Sequence, residues 1–102
     1  MRISKEKINK IKESILSVLY TNSPKLLFTV DLAHEIARDE EFVKRLMLEM
    51  EKDALVVGVR KNSNGINYAL RIRWRLSNKA YETYKQLEHQ KVVYDEIENT
   101  YI

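Results

Sequence analysis

The sequence predicts an α+β fold: a three-helix core, a two- to three-stranded antiparallel β-sheet and a C-terminal helix. Three observations carry that expectation. Apolar residues recur every three or four positions in stretches ahead of Ala54, the stripe of amphipathic helices. Residues 66–76 alternate between apolar and polar side chains, the period of a half-buried strand. Helical spacing then returns after Ser77, with Ala80, Tyr81, Tyr84 and Leu87.

The first helix is expected from about Lys5 to Tyr20, capped by Ser4 and buried along Ile8, Ile11, Ile15, Val18 and Leu19. Lys5, Asn9 and Lys12 fall on its outer side. Pro24 biases Ser23 away from helical angles and stops the helix. "LLF" at 26–28 is short enough for one small strand. Thr29 is the expected cap of a second helix of about nine residues carrying Leu32, Ala33, Ile36 and Ala37. "DEE" at 39–41 opens a third helix, with Asp39 as cap. Glu40 and Glu41 then occupy its first turn, where the helix dipole favours negative charge by about 0.3–1 kcal/mol each. Val43, Leu46, Met47 and Met50 continue the buried stripe to about Asp53.

A hairpin follows. Asn64-Gly65 is the favoured pair for a two-residue turn in which both positions need positive φ. A turn there pairs residues whose numbers add to 129: Val59 with Leu70, Val57 with Ile72 and Leu55 with Trp74 on the apolar face. Arg60, Gly58 and Val56 then share the other face with Ala69, Arg71 and Arg73, and no arginine opposes another. Ser77 or Asn78 caps the last helix. Its course beyond residue 88 stays open among one long helix, a kinked pair and a docking arm. The series Tyr84, Leu87, Lys91, Tyr94, Glu98, Tyr101 contains two charges, and "VVY" at 92–94 is β-prone. Residues 1–90 are expected to form one domain, with 91–102 a tail or helix extension that serves dimerisation.

The chain of 102 residues can bury a core without disulfides or metals, and it contains no cysteine, which excludes thiolate catalysis and zinc–thiolate sites. "MRISKEKINK" is too polar for a secretory signal, and the longest apolar run, Ala54 to Val57, is far below the ~20 residues a membrane span needs. A cytoplasmic protein without membrane contact is expected. With 32% charged residues, two glycines and one proline, the composition leans toward that of thermophiles. Charge is unevenly spread: +4 over residues 1–30, −4 over 31–53, +6 over 54–79 and −3 over 80–102. The +6 segment contains no acid, which points to a polyanionic partner.

The order helix, short strand, helix, turn, helix, hairpin, helix resembles the winged helix-turn-helix DNA-binding regulators, including the MarR-like and PadR-like groups. "TVDLAHEIA" (29–37) looks like that family's hydroxyl cap followed by a Leu-Ala pair. "VKRLMLEMEKDALV" (43–56) looks like its recognition helix running into the first wing strand. "YALRIRWRLSNKAYETYKQL" (68–87) looks like the second wing strand, the cap and the next helix. The resemblance covers about residues 5–88. It implies a transcription regulator that binds double-stranded DNA and dimerises through its first and last helices. Two departures stand out. The family often has glycine where Ala54 and Ala80 stand, a loss that is tolerable at Ala54 if the turn avoids positive φ. Its recognition helix reads base edges with its N-terminal part, where this chain places Glu40 and Glu41.

The candidate DNA contacts follow. Arg60, Arg71, Arg73 and Arg75 suit bidentate phosphate binding, against the plainer reading of a solvated sheet face that blocks edge aggregation. Lys61 and the loop containing Asn62 and Asn64 would form a wing tip able to enter a minor groove. Lys44, Arg45 and Leu48 face outward on the third helix. Tyr68 reads as a core or rim residue and Trp74 as core, its indole N–H requiring a partner. Asp31, His34 and Glu35 read as a surface cluster rather than a metal site, and no cofactor is expected. Glu49 and Glu51, two apart, do not face each other on a helix. With no glycine-rich phosphate loop, nucleophile elbow or paired-acid pattern, the chain is not read as an enzyme. The alternative function is a protein-interaction module on the same fold, its acidic helix meeting a protein partner instead of DNA.

Overall fold

The computed structural model describes residues 3–60 and 71–100, the last ten by their backbone. Its elements run α1 (Lys5–Asn22), β1 (Leu27–Phe28), α2 (Thr29–Glu35), α3 (Glu40–Lys52), β2 (Val56–Val59), β3 (Arg73–Leu76) and α4 (Asn78–Thr100). This is the expected α+β layout, helices around a three-stranded antiparallel sheet of order β1-β3-β2.

Local chemistry sets most of the ends. Ser4 Oγ accepts from the Lys7 N–H at 3.2 Å, Asp39 Oδ2 from Phe42 at 3.1 Å, and Ser77 Oγ from Ala80 at 3.1 Å. Each of these satisfies a backbone donor that the first helical turn leaves unpaired. Thr29 does not cap α2. Phe28 is the capping residue, and its N–H donates to the Asp31 carboxylate at 3.0 Å. The Thr29 hydroxyl is turned into the core, where it accepts from Trp74 Nε1 at 2.8 Å.

α2 and α3 end in the same device. In each, the residue past the cap adopts left-handed angles, Ala37 at φ 54° and Ala54 at φ 61°. The Ala37 and Arg38 N–H groups return to the carbonyls of His34 and Ala33, and those of Ala54 and Leu55 to Glu51 and Met50. This is the Schellman pattern, which usually places glycine at the left-handed position. The turn at Ala54 therefore does not avoid positive φ, the condition under which the loss of glycine there would be tolerable.

The core draws Ile11, Ile15, Leu16 and Leu19 from α1, Leu32 and Ala33 from α2, and Val43, Leu46, Met47 and Met50 from α3. Ile72, Trp74 and Leu76 supply the sheet side, joined by Leu27, Val56 and Ala80. Trp74 is completely buried, as expected.

The hairpin register differs from the expected one. β2 pairs Val56 with Leu76, Val57 with Arg75, Gly58 with Trp74 and Val59 with Arg73, so paired numbers add to 132 rather than 129. An odd shift turns one strand over relative to its neighbour. β3 keeps its apolar face inward, so β2 is the strand that turns: Val56 is buried, whereas Leu55 is 36% exposed. The cause is steric. A Cβ on Gly58 would lie 2.8 Å from Trp74 Cζ3, so the glycine is the residue of β2 that fits directly across from the indole. The expected Asn64–Gly65 turn, with Tyr68 and Leu70, lies outside the described residues.

α4 resolves the open reading of the C-terminus as one long helix, and it runs through residue 91 without a break. Tyr81 and Tyr84 hold it to α1 through Tyr20, with ring centroids 5.4 and 5.5 Å apart. The Tyr20 hydroxyl donates to Glu88, a hydrogen bond that pushes the phenol up to about 12. Among the described residues no helix is long and apolar enough to cross a membrane.

Candidate nucleic-acid interface

α3 buries Val43, Leu46, Met47 and Met50 and presents the opposite side outward. That side carries Glu41, Lys44, Arg45, Leu48, Glu49 and Lys52 along a shallow groove. Its charges are not equally available. Glu49 is bonded to Lys12 of α1, Nζ to Oε2 at 2.9 Å, so Lys12 is not a purely outward residue. Glu51 turns the other way and binds Arg60. The two glutamates diverge, as their spacing requires. Among the described residues no carboxylate pairs with Lys44, Arg45 or Lys52; Arg45 lies over the Phe42 ring at 5.5 Å. Leu48 is 42% exposed between them. Internal pairing thus offsets two acids of α3 and leaves its outward cations unneutralised, while Glu40 and Glu41 remain exposed in the first turn.

The outer face of the sheet carries Arg71, Arg73 and Arg75, with Phe28, Val57 and Val59 beside them by register. These apolar residues are half-buried, and arginine stems are suited to covering such surface while the charged heads stay in water. The row does not converge on one point. Arg71 lies over the Phe28 ring at 5.7 Å, in a groove it shares with Val30, Asp31 and Glu40. Arg75, about 13 Å further along an extended strand, donates to the Leu76 carbonyl at 2.9 Å and borders Ser23, Pro24 and Asn78.

Arg60, expected on this outer face, turns inward because β2 is turned over. Its Nη1 and Nη2 donate to Glu51 Oε2 and Oε1, both at 2.7 Å, and its guanidinium sits 5.9 Å from the Trp74 ring centroid. Hydrogen bonds from Arg60 hold the Glu51 carboxyl below its usual range against the opposing effect of burial. The same bonds raise Arg60. In the sequence Glu51 stands out only beside Glu49; its pairing with Arg60 follows from the observed strand register. Lys61, Asn62 and Asn64 lie outside the described residues. Asp31 accepts the N–H of the capping residue Phe28, and among the described residues no group of three His, Cys, Asp or Glu could hold a metal ion.

No protein-family model and no curated protein matches this chain. Solved structures do match, as winged-helix regulators of the MarR group. A Staphylococcus aureus MepR–DNA complex has 21% identity and a TM-score of 0.65, over 93% of this chain and 73% of that one. NadR in complex with 4-hydroxyphenylacetate has 23% identity and a TM-score of 0.65, over 95% and 67%. A Lactococcus lactis ZitR mutant has 18% identity and a TM-score of 0.62, over 98% and 66%. The fold is the winged helix-turn-helix that the sequence resembles. The chain spans about two thirds to three quarters of the length of these structures.

Proposed function

We propose that this chain is a DNA-binding transcription regulator that meets duplex DNA through α3 and the β2–β3 hairpin. The observation that carries this reading is a winged-helix fold whose α3 presents Lys44, Arg45 and Lys52 outward and whose following sequence, residues 54–79, contains no acid. Lys44 and Arg45 meet the groove and its flanking phosphates, and Leu48 offers the kind of apolar contact a thymine methyl takes. Lys61, Asn62 and Asn64, outside the described residues, are assigned to the minor groove on their chemistry. Arg71, Arg73 and Arg75 supply phosphate contacts, Arg71 from the groove beside α2. Arg60 leaves this set, since Glu51 holds it. A solved relative in fold bound to DNA supports the reading.

A salt titration tests it. The three remaining sheet arginines, at one phosphate contact each, contribute about −2.7 to the log–log slope of affinity against salt. Binding that ignores salt, or is unchanged in Arg71→Ala/Arg73→Ala, removes the wing from the mechanism.

The exposed Glu40 and Glu41 favour a second reading, a protein-interaction module whose acidic first turn meets a protein surface. A gel shift with random duplex at low salt, paired with light scattering, separates the two. The regulator reading also carries a homodimer through α1 and α4. Tyr81 and Tyr84 are already spent on Tyr20, so Leu87, 56% exposed, marks the side of α4 left for a second copy.

A further inference from the structure

We propose that Glu51 and Arg60 form a positioning clamp that sets the hairpin against α3, so that an acidic side chain strengthens binding to a polyanion. The proposal rests on the regulator reading above. α3 and β2 are joined by the short turn around Ala54. The far end of the strand, about 15 Å away at the rise of an extended chain, is held by its pairing with β3, which does not itself tie it to the last turn of α3. Arg60 supplies that tie. It follows β2 directly and reaches back to the last turn of α3, where both guanidinium nitrogens meet both oxygens of Glu51. Bidentate Arg–carboxylate pairing fixes angle as well as distance.

The surroundings leave the pair little room to shift. A Cβ on Gly58 would lie 2.8 Å from Trp74 Cζ3, 2.9 Å from Glu51 Oε2 and 3.1 Å from Arg60 Nη1. Backbone, indole and ion pair therefore interlock at one point. β2 is paired with β3, so the angle set at Arg60 also sets the arginine-bearing strand against α3.

The sign of one substitution separates the clamp from plain electrostatics. If charge alone mattered, removing Glu51 would strengthen binding to DNA. The clamp predicts the reverse. Glu51→Gln should weaken duplex binding about tenfold while the salt slope stays the same, because no phosphate contact is lost. Arg60→Gln should do likewise and shift the emission of Trp74, which Arg60 covers. Glu51→Arg/Arg60→Glu, which keeps the net charge and reverses the pair, should restore most of the affinity; if Glu51→Gln melts below the assay temperature, this double variant carries the test. Equal or tighter binding by Glu51→Gln overturns the clamp. So does a slope about 0.9 shallower in Arg60→Gln, which would make Arg60 a phosphate ligand. Failure of the unaltered chain to bind duplex at low salt is a different result: it overturns the regulator reading first, and the clamp's effect on binding with it.

Discussion

On the inner face of β3, Ile72, Trp74 and Leu76 lie within the core, while on the outer face Arg71, Arg73 and Arg75 stand beside half-buried Phe28, Val57 and Val59. The inner face is closed by shape. Trp74 fills the space across from Gly58, and its one polar atom is bonded to Thr29. The outer face needs no such fit, because flexible arginine stems cover whatever lies beneath them. The difference teaches that one strand can carry a rigid requirement and a tolerant one side by side. Substitutions on the tolerant face should therefore disturb the fold less than those on the rigid one.

The largest expected effect breaks the inner face. Gly58→Val drives methyl groups into the Trp74 ring and should cost about 3 kcal/mol, the upper range for overpacking. Arg71→Ala, on the other face of the sheet, should change stability by about 0.5 kcal/mol, its contact with the Phe28 ring being exposed. Urea denaturation of the two variants checks the contrast, and equal losses would mean that the faces do not differ in this way.

A smaller effect isolates the polar contact of the inner face. Thr29→Val keeps shape but leaves the buried Trp74 indole N–H without its acceptor, at a cost of about 2 kcal/mol. Thr29→Ser retains the hydroxyl and should recover most of the loss. Unfolding followed by tryptophan fluorescence reads both variants, and an unaffected Thr29→Val would show that the hydrogen bond contributes nothing net.

These contacts also explain what the sequence made legible. Helical stripes and the strict alternation of β3 were readable because each follows one period through many residues. Ser4, Asp39 and Ser77 were readable as caps because the cap is a local matter. The register was not, because "LVVGV" has no decisive alternation and the turn dipeptide outweighed packing. Setting the one glycine of β2 against the one tryptophan would have given the observed pairing. The candidate site inherited that error: with β2 turned over, Arg60 moved from the outer arginine row to Glu51. Thr29 has the composition of a cap, and only the distant indole, 45 residues on, gives its hydroxyl another use.

A further small effect is a gain, and it concerns the junction that leads into β2. Ala54 holds φ 61° at the end of α3, a conformation in which an L-residue's Cβ is crowded by its own backbone. Glycine removes that strain but is freer in the unfolded chain, so Ala54→Gly should gain only about 0.5–1 kcal/mol. Ala80, the other alanine where glycine was expected by resemblance, sits buried in the first turn of α4. There glycine adds backbone freedom and removes a packed methyl, so Ala80→Gly should lose about 1 kcal/mol or slightly more. Thermal melts of the two variants should therefore move in opposite directions by a few degrees each. A fall in Ala54→Gly would mean that the left-handed turn carries no strain. The chemical change is the same at both sites, so the direction of each shift reports the surroundings: a left-handed φ at Ala54, and a helical backbone with a packed methyl at Ala80.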